Sequence, residues 1–191
     1  MPIVLPANPP AVRLRAGSPL WRVHRRDHGP VWFGPDRSQA PRGRFAAPAH
    51  EFGVCYFAAT AQTAVLETVI RSADRLVPRT ALEARSASKL SAAADLRLLR
   101  LEGPGLPRLR IAAERTHGDD YAECQRLALD LFRRGPEWDG IQYRSRWDNS
   151  QLCWAVFDRA ADKVGGVRET RWLGDLDVIG PMLDACEIAI F

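Results

Sequence analysis

The sharpest change of hydrophobic period in the chain falls between Val54 and Arg71, in VCYFAATAQTAVLETVIR. Val54 to Ala59 is a short apolar run that reads as a buried strand. From Ala61 to Arg71 the apolar residues instead recur at helical spacing, with Thr60 in the N-cap position. Val65, Leu66, Val69 and Ile70 make the stripe that faces a core, and Glu67 falls on its polar flank. Upstream, Pro19 to His24 alternates as a strand does, with Trp21 and Val23 on one face and Arg22 and His24 on the other. Residues 1–18 are rich in Pro and Ala and read as an extended arm packed on the surface.

Downstream, Asp74 to Ser91 is ambiguous, with a short strand suggested near Leu76 to Thr80. Leu96 to Leu101, LRLLRL, reads as a strand and Gly103-Pro104-Gly105 as a turn. Asp119-Asp120 opens the clearest helix, whose stripe is Cys124, Leu127, Ala128, Leu131 and Phe132. Its acidic start, Arg133 and Arg134 in the last turn and the stop at Gly135 agree with helix-dipole and C-cap rules. Asp139 to Ser145 is a strand running into the polar turn RSRWDNSQ. Leu152 to Phe157, LCWAVF, is apolar enough to be central, and Asp177 to Phe191 adds a turn or short helix and a closing strand, CEIAIF. This irregular order predicts a compact α+β domain, with mixed or antiparallel sheets and flanking helices. No repeat or low-complexity linker divides it, so one domain is expected over 19–191 after the arm at 1–18.

Composition narrows the function only slightly. The 191 residues are 46% hydrophobic and 26% charged, ordinary for a globular domain. A net charge of +4 and a pI near 9.2 suit anionic small molecules, an acidic partner or weak nucleic-acid contact, and select none of them. Cys55, Cys124, Cys153 and Cys186 form no CxxC pair and sit among apolar residues. They read as buried free thiols in a reducing cytosol. Neither a signal-peptide core nor a membrane span is visible, so a cytoplasmic protein is expected. His24 and His28 have helical spacing but no third ligand, which argues against a metal site. Nucleotide, hydrolase and zinc signatures (GxGxxG, Walker A, GxSxG, HExxH) are absent.

The candidate chemistry lies in polar residues at the ends of elements: Arg22, Arg44, Tyr56, Glu67, Tyr143 and Ser145. Singly, each has an ordinary reading. Glu67 could be a solvated carboxylate paired with Arg71, worth about 0.3 kcal/mol. Arg22 could face solvent, and Ser145 could simply form the turn. Gly29 to Pro48 is a long loop carrying Arg37, Arg42 and Arg44 among Trp32, Phe33 and Phe45. That is either an anion cradle or a basic surface loop. Together, two arginines, a carboxylate, an aromatic ring and a hydroxyl suit a phosphorylated ribosyl ligand.

The stretches LWRV (Arg22), GRFAAP (Arg44), VCYFAATAQTAVLETV (Tyr56, Glu67), and DGIQYRSR followed by CWAVF (Tyr143, Ser145) occur in one order along the chain. In this the sequence resembles the RES-domain family, named for an Arg, a Glu and a Ser, the toxin half of RES/Xre toxin–antitoxin pairs. The resemblance runs from Pro19 onward. It departs at Trp147-Asp148, where family members often carry His or Asn. It implies a fold like that of diphtheria-type ADP-ribosyltransferases, acting on NAD+ as substrate by phosphorolysis or hydrolysis, with inorganic phosphate as co-substrate in the first case and no metal. Glu67 would stabilise the oxocarbenium-like state, and Arg22 and Arg44 would hold the diphosphate. Tyr56 would stack on nicotinamide, Ser145 would hydrogen-bond the ribose or the nucleophile, and Tyr143 would line the pocket. The implied partner is an Xre-like helix-turn-helix antitoxin that blocks the active site, with DNA reached only through it. Two other readings stay open: a protein ADP-ribosyltransferase on the same fold, and a non-catalytic nucleic-acid or partner-binding module. Against the last, the arginines form no single basic helix and no nucleic-acid motif is present.

Overall fold

The computed structural model describes residues 3–34, 40, 43–70, 76–118 and 120–191. In chain order the elements are β1 (Ala11–Leu14), β2 (Pro19–Arg25), β3 (Val54–Ala58), α1 (Ala61–Val69), β4 (Leu76–Val77), α2 (Arg79–Glu83), β5 (Arg85–Ser91) and β6 (Leu96–Leu101). They continue with α3 (Gly105–Leu109), α4 (Glu114–His117), α5 (Ala122–Arg134), β7 (Gly140–Arg144), β8 (Leu152–Phe157), β9 (Glu169–Trp172), α6 (Leu176–Asp184) and β10 (Ala189–Ile190). A 3-10 turn, Asp158–Lys163, follows β8.

One eight-stranded sheet, ordered β1-β6-β7-β8-β3-β2-β5-β9, forms the frame. Its β6–β7 pairing is parallel and the others are antiparallel, so the sheet is mixed, as the irregular element order predicts. Side chains alternate between two cores. One holds Val54, Ala58, Leu127, Leu131, Ala155 and Phe157 with the apolar faces of α1 and α5. The other holds Leu20, Cys55, Phe57, Trp154 and Val156. A two-stranded parallel sheet of β10 and β4 stands apart.

The sheet is nearly divided. Between β2 and β3 only Trp21 and Ala58 are paired, whereas β2 and β5 pair over the full length of β2. Helix α1 packs across this seam against β2, β3 and β5. Thr60 caps it as expected, accepting the Thr63 amide at 3.1 Å.

Several elements differ from the sequence expectation. The N-terminal arm contributes an edge strand, because Val12 and Leu14 meet the second core while β1 pairs with β6. The stretch around Leu76 to Thr80 yields only the two residues of β4 before Pro78 precedes α2. Within Asp74 to Ser91 lies a full strand, β5. Its sequence RSASKLS lacks apolar alternation, but Ser88 is buried satisfied: its Oγ lies 2.9 Å from His24 Nε2 and 2.8 Å from Thr170 Oγ1. Strand β9 has the same polar character and pairs with β5 at the sheet edge. The closing CEIAIF strand is reduced to β10, preceded by the nine residues of α6.

Candidate active site

Glu67 sits in the last turn of α1, held there by Val65, Leu66 and Val69, which are buried beneath the helix. Its Oε1 accepts two hydrogen bonds of 2.7 Å, from the Ser145 hydroxyl and from the Arg146 backbone amide. Among the described residues, Oε2 has no such donor. Ser145 is fully buried at the end of β7. Its Oγ donates to Glu67 and accepts the amides of Trp147 and Asp148, each at 3.2 Å. The turn is closed by Ser145 N to Gln151 O at 3.0 Å. One proton and two lone pairs are all a hydroxyl has, and all are engaged.

Arg44 is delivered from the long loop and is only 8% exposed. Its guanidinium lies over the rings of Tyr143 and Tyr121, at 5.3 and 5.8 Å from their centroids. Among the described residues it meets rings rather than a carboxylate. A buried cation without a counter-ion is costly, and that cost falls when an anion arrives. The loop is pinned beside it: Phe45 N donates to the Tyr56 hydroxyl at 2.9 Å and Gln125 Nε2 to Gly43 O at 3.1 Å. Gly43 is required here, because a Cβ would lie 2.3 Å from the Tyr56 hydroxyl oxygen.

Strand alternation sends Arg22 to the sheet face opposite Trp21 and Val23, where Nη1 hydrogen-bonds Cys55 Sγ. Its Nε is buried and is the only buried side-chain nitrogen or oxygen without a hydrogen-bond partner among the described residues. Because the β2–β3 seam is open, Arg22 still lines the same pocket as Trp21, Tyr56, Glu67, Tyr143 and Cys153, which holds about 250 Å³ of empty space. Five of the six candidates are thus joined by direct contact or a shared pocket: Arg22, Tyr56, Glu67, Tyr143 and, through Glu67, Ser145. Arg44 adjoins them over Tyr143. Arg37, Arg42 and Arg71 lie outside the described residues.

Burial pushes the Tyr143 phenol well above its usual range; Cys153 and Glu67 add to this and Arg44 opposes it. Tyr56 is raised by burial against the opposing Phe45 amide and Arg44 charge, and Cys153 by burial with Glu67 adding. These phenols and this thiol therefore hold their protons at neutral pH. Among the described residues no group of three His, Cys, Asp or Glu side chains could hold a metal ion. His24 has Nδ1 2.8 Å from Arg25 O and Nε2 committed to Ser88. No helix among the described residues is long and apolar enough to cross a membrane.

Sequence reasoning missed Tyr121, Gly43 and Trp21 as parts of the site. Tyr121 carried no signal, since it precedes a helix whose apolar stripe begins only at Cys124. Trp21 was assignable to the correct face but not to a pocket.

The fold and site together define an α+β domain with one helix-borne carboxylate set over a split sheet among arginines and tyrosines. The RES domain matches residues 19–177, and the chain belongs to this family. A solved structure with the same fold is a chain from the crystal structure of the M. tuberculosis MbcT–MbcA toxin–antitoxin complex. It aligns with a TM-score of 0.67 at 17% identity, covering 83% of this chain and 85% of that chain. No curated protein matches the chain.

Proposed function

We propose that the chain is the toxin of a toxin–antitoxin pair and cleaves the nicotinamide–ribose bond of NAD+. The observation that carries this is the Glu67 carboxylate, fixed through Oε1 with Oε2 left for a ligand, at a pocket walled by tyrosines and arginines. The leaving nicotinamide is already cationic in NAD+, so it departs with the bonding electron pair as a neutral ring and needs no acid. The sugar carbon passes through an oxocarbenium-like state, which a carboxylate at its face stabilises while holding the 2-hydroxyl. Glu67 has that role. Ser145 is a positioning residue, since its hydroxyl is spent on Glu67 and the turn. Tyr56 and Tyr143 wall the nicotinamide end. Arg22, at the seam, meets the diphosphate. Arg44 orients inorganic phosphate, whose oxygen bonds the anomeric carbon as the carbon–nitrogen bond breaks, giving ADP-ribose 1-phosphate and nicotinamide. The toxin reading draws on family membership and on the MbcT–MbcA complex as a fold relative. The partner proposed is a helix-turn-helix, Xre-like antitoxin that covers the pocket, in the cytoplasm.

The test is NAD+ loss with the purified chain, with and without inorganic phosphate, beside Glu67→Gln. Glutamine keeps an oxygen to accept both Oε1 hydrogen bonds, so the fold should survive. Turnover should fall roughly 100- to 1,000-fold, the range for losing one transition-state electrostatic contact. Wild-type turnover by this variant would refute the role of Glu67. Loss independent of phosphate would move the acceptor to water or to a protein side chain, the latter visible as label transferred from NAD+.

A further inference from the structure

The pocket at Glu67 is far smaller than the 300–1,000 Å³ typical of sites that enclose a drug-sized ligand. A dinucleotide bound at Glu67 must therefore extend beyond it. The sheet register shows where it can go. Tyr143, Cys153, Ala58, Trp21 and Lys89 are successive cross-strand partners, so their side chains form one row on the face that carries Glu67. The first four line the pocket, and Lys89 is the next rung outward. At four strand spacings of about 4.8 Å the row is roughly 19 Å long.

Cations stand near both ends of this row, although on β9 the rung after Lys89 is Glu169. Arg44 stands over Tyr143 at one end. At the other, Lys89 Nζ and the Arg171 guanidinium lie 5.8 and 5.7 Å from the Trp21 ring centroid. Arg171 sits on the same face because its partner Ala87 packs in the core shared with Val23. It is tied to Glu169, which also stands opposite Lys89 as its cross-strand partner on β9, so two cations share one carboxylate and a net positive charge remains. The Trp21 ring thus walls the pocket on one side and fixes two cations on the other. Such an arrangement recognises phosphate.

Resting on the NAD+-cleavage reading, we propose that Trp21, Lys89 and Arg171 form a subsite for the phosphate-bearing adenosine half of the dinucleotide. That half leaves the Glu67 pocket across β2 and β5, and the β7 end with Arg44 stays open to the attacking phosphate.

The test compares NAD+ with nicotinamide mononucleotide, which lacks the adenosine phosphate half, using wild type and Lys89→Gln/Arg171→Gln. Both positions are on the polar rim of the sheet, so the variant should fold, checked by its melting temperature. KM for NAD+ should rise about tenfold, the loss of about one charge-assisted contact, with KM for the mononucleotide unmoved. Equal shifts for both substrates, or none for NAD+, would overturn the subsite. Calorimetric titration with ADP separates this from the functional reading. Weaker ADP binding by the variant supports the subsite even if neither chain consumes NAD+, and equal ADP binding overturns it.

Discussion

Replacing Ser145 by Ala tests how the carboxylate is held. The substitution removes the 2.7 Å hydrogen bond to Glu67 and the shared acceptor of the Trp147 and Asp148 amides. Those two residues are partly exposed, so water can reach their amides, but Ser145 itself is fully buried. One orphaned buried polar group costs about 1–3 kcal/mol, which sets the stability loss to be read in urea. The effect on catalysis is separate. Glu67 Oε1 retains only the Arg146 amide, and a hydrogen bond to a charged group contributes about 1.5–3 kcal/mol. If that energy orients the carboxylate in the transition state, turnover of NAD+ falls roughly 10- to 150-fold, mainly in kcat. The assay is nicotinamide release at saturating NAD+, run well below the melting temperature so that folded fraction does not enter. A variant of lowered stability but wild-type kcat would show that Ser145 braces the turn and does nothing for Glu67. A variant whose loss lay wholly in KM would refute the positioning argument and return Ser145 to direct contact with substrate.

Two further outcomes follow from the same packing. Gly43→Ala places a Cβ 2.3 Å from the Tyr56 hydroxyl oxygen, and overpacking of this kind costs about 1–3 kcal/mol. Adding Tyr56→Phe should recover part of that loss, measured as coupling in a double-mutant cycle of urea midpoints; strict additivity would contradict the contact. Burial raises Cys124 from 9.0 to about 11, against the opposing Arg44 charge. The folded chain keeps this proton longer than the unfolded one, so the stabilisation is full below pH 9 and is lost as pH rises toward 11. The melting temperature should decline above pH 9, less steeply in Cys124→Ala, and a flat profile to pH 10.5 would refute the buried thiol.

What could be read from the sequence is what periodicity encodes. Helices α1 and α5 and strands β3 and β8 carry runs or stripes whose spacing matches their burial, and the caps at Thr60 and Gly135 fall where expected. Strands β5 and β9 escaped because Ser, Lys, Arg and Thr fill positions whose burial or pairing depends on partners far along the chain, as Ser88 depends on His24 and Thr170. The members of the site were named without their relations. Glu67 and Ser145 are 78 residues apart, and no local pattern records their hydrogen bond. The family resemblance supplied the grouping. Arg22 illustrates the limit from the other side: alternation placed it on the face away from Trp21, and nothing in the sequence could reveal that an open seam would bring it to the same pocket.

That seam accounts for the position of the candidate site. A continuous sheet would close β2 against β3 with backbone hydrogen bonds along their length, and side chains from the two faces could never share a cavity. With only Trp21 and Ala58 paired, Arg22 from one face and Glu67 over the other line one pocket. The division leaves a trace of its cost: Arg22 Nε is buried and unpaired, a condition worth about 1–3 kcal/mol of instability. Natural folds retain such an orphan where something other than folding requires it. An anionic oxygen entering the seam would complete Nε, as a phosphate at Arg44 would relieve a guanidinium held only by rings. On the proposed reading, both cations are better satisfied with an anionic substrate bound than in the free protein, and part of its binding energy is stored as unmet demand in the fold.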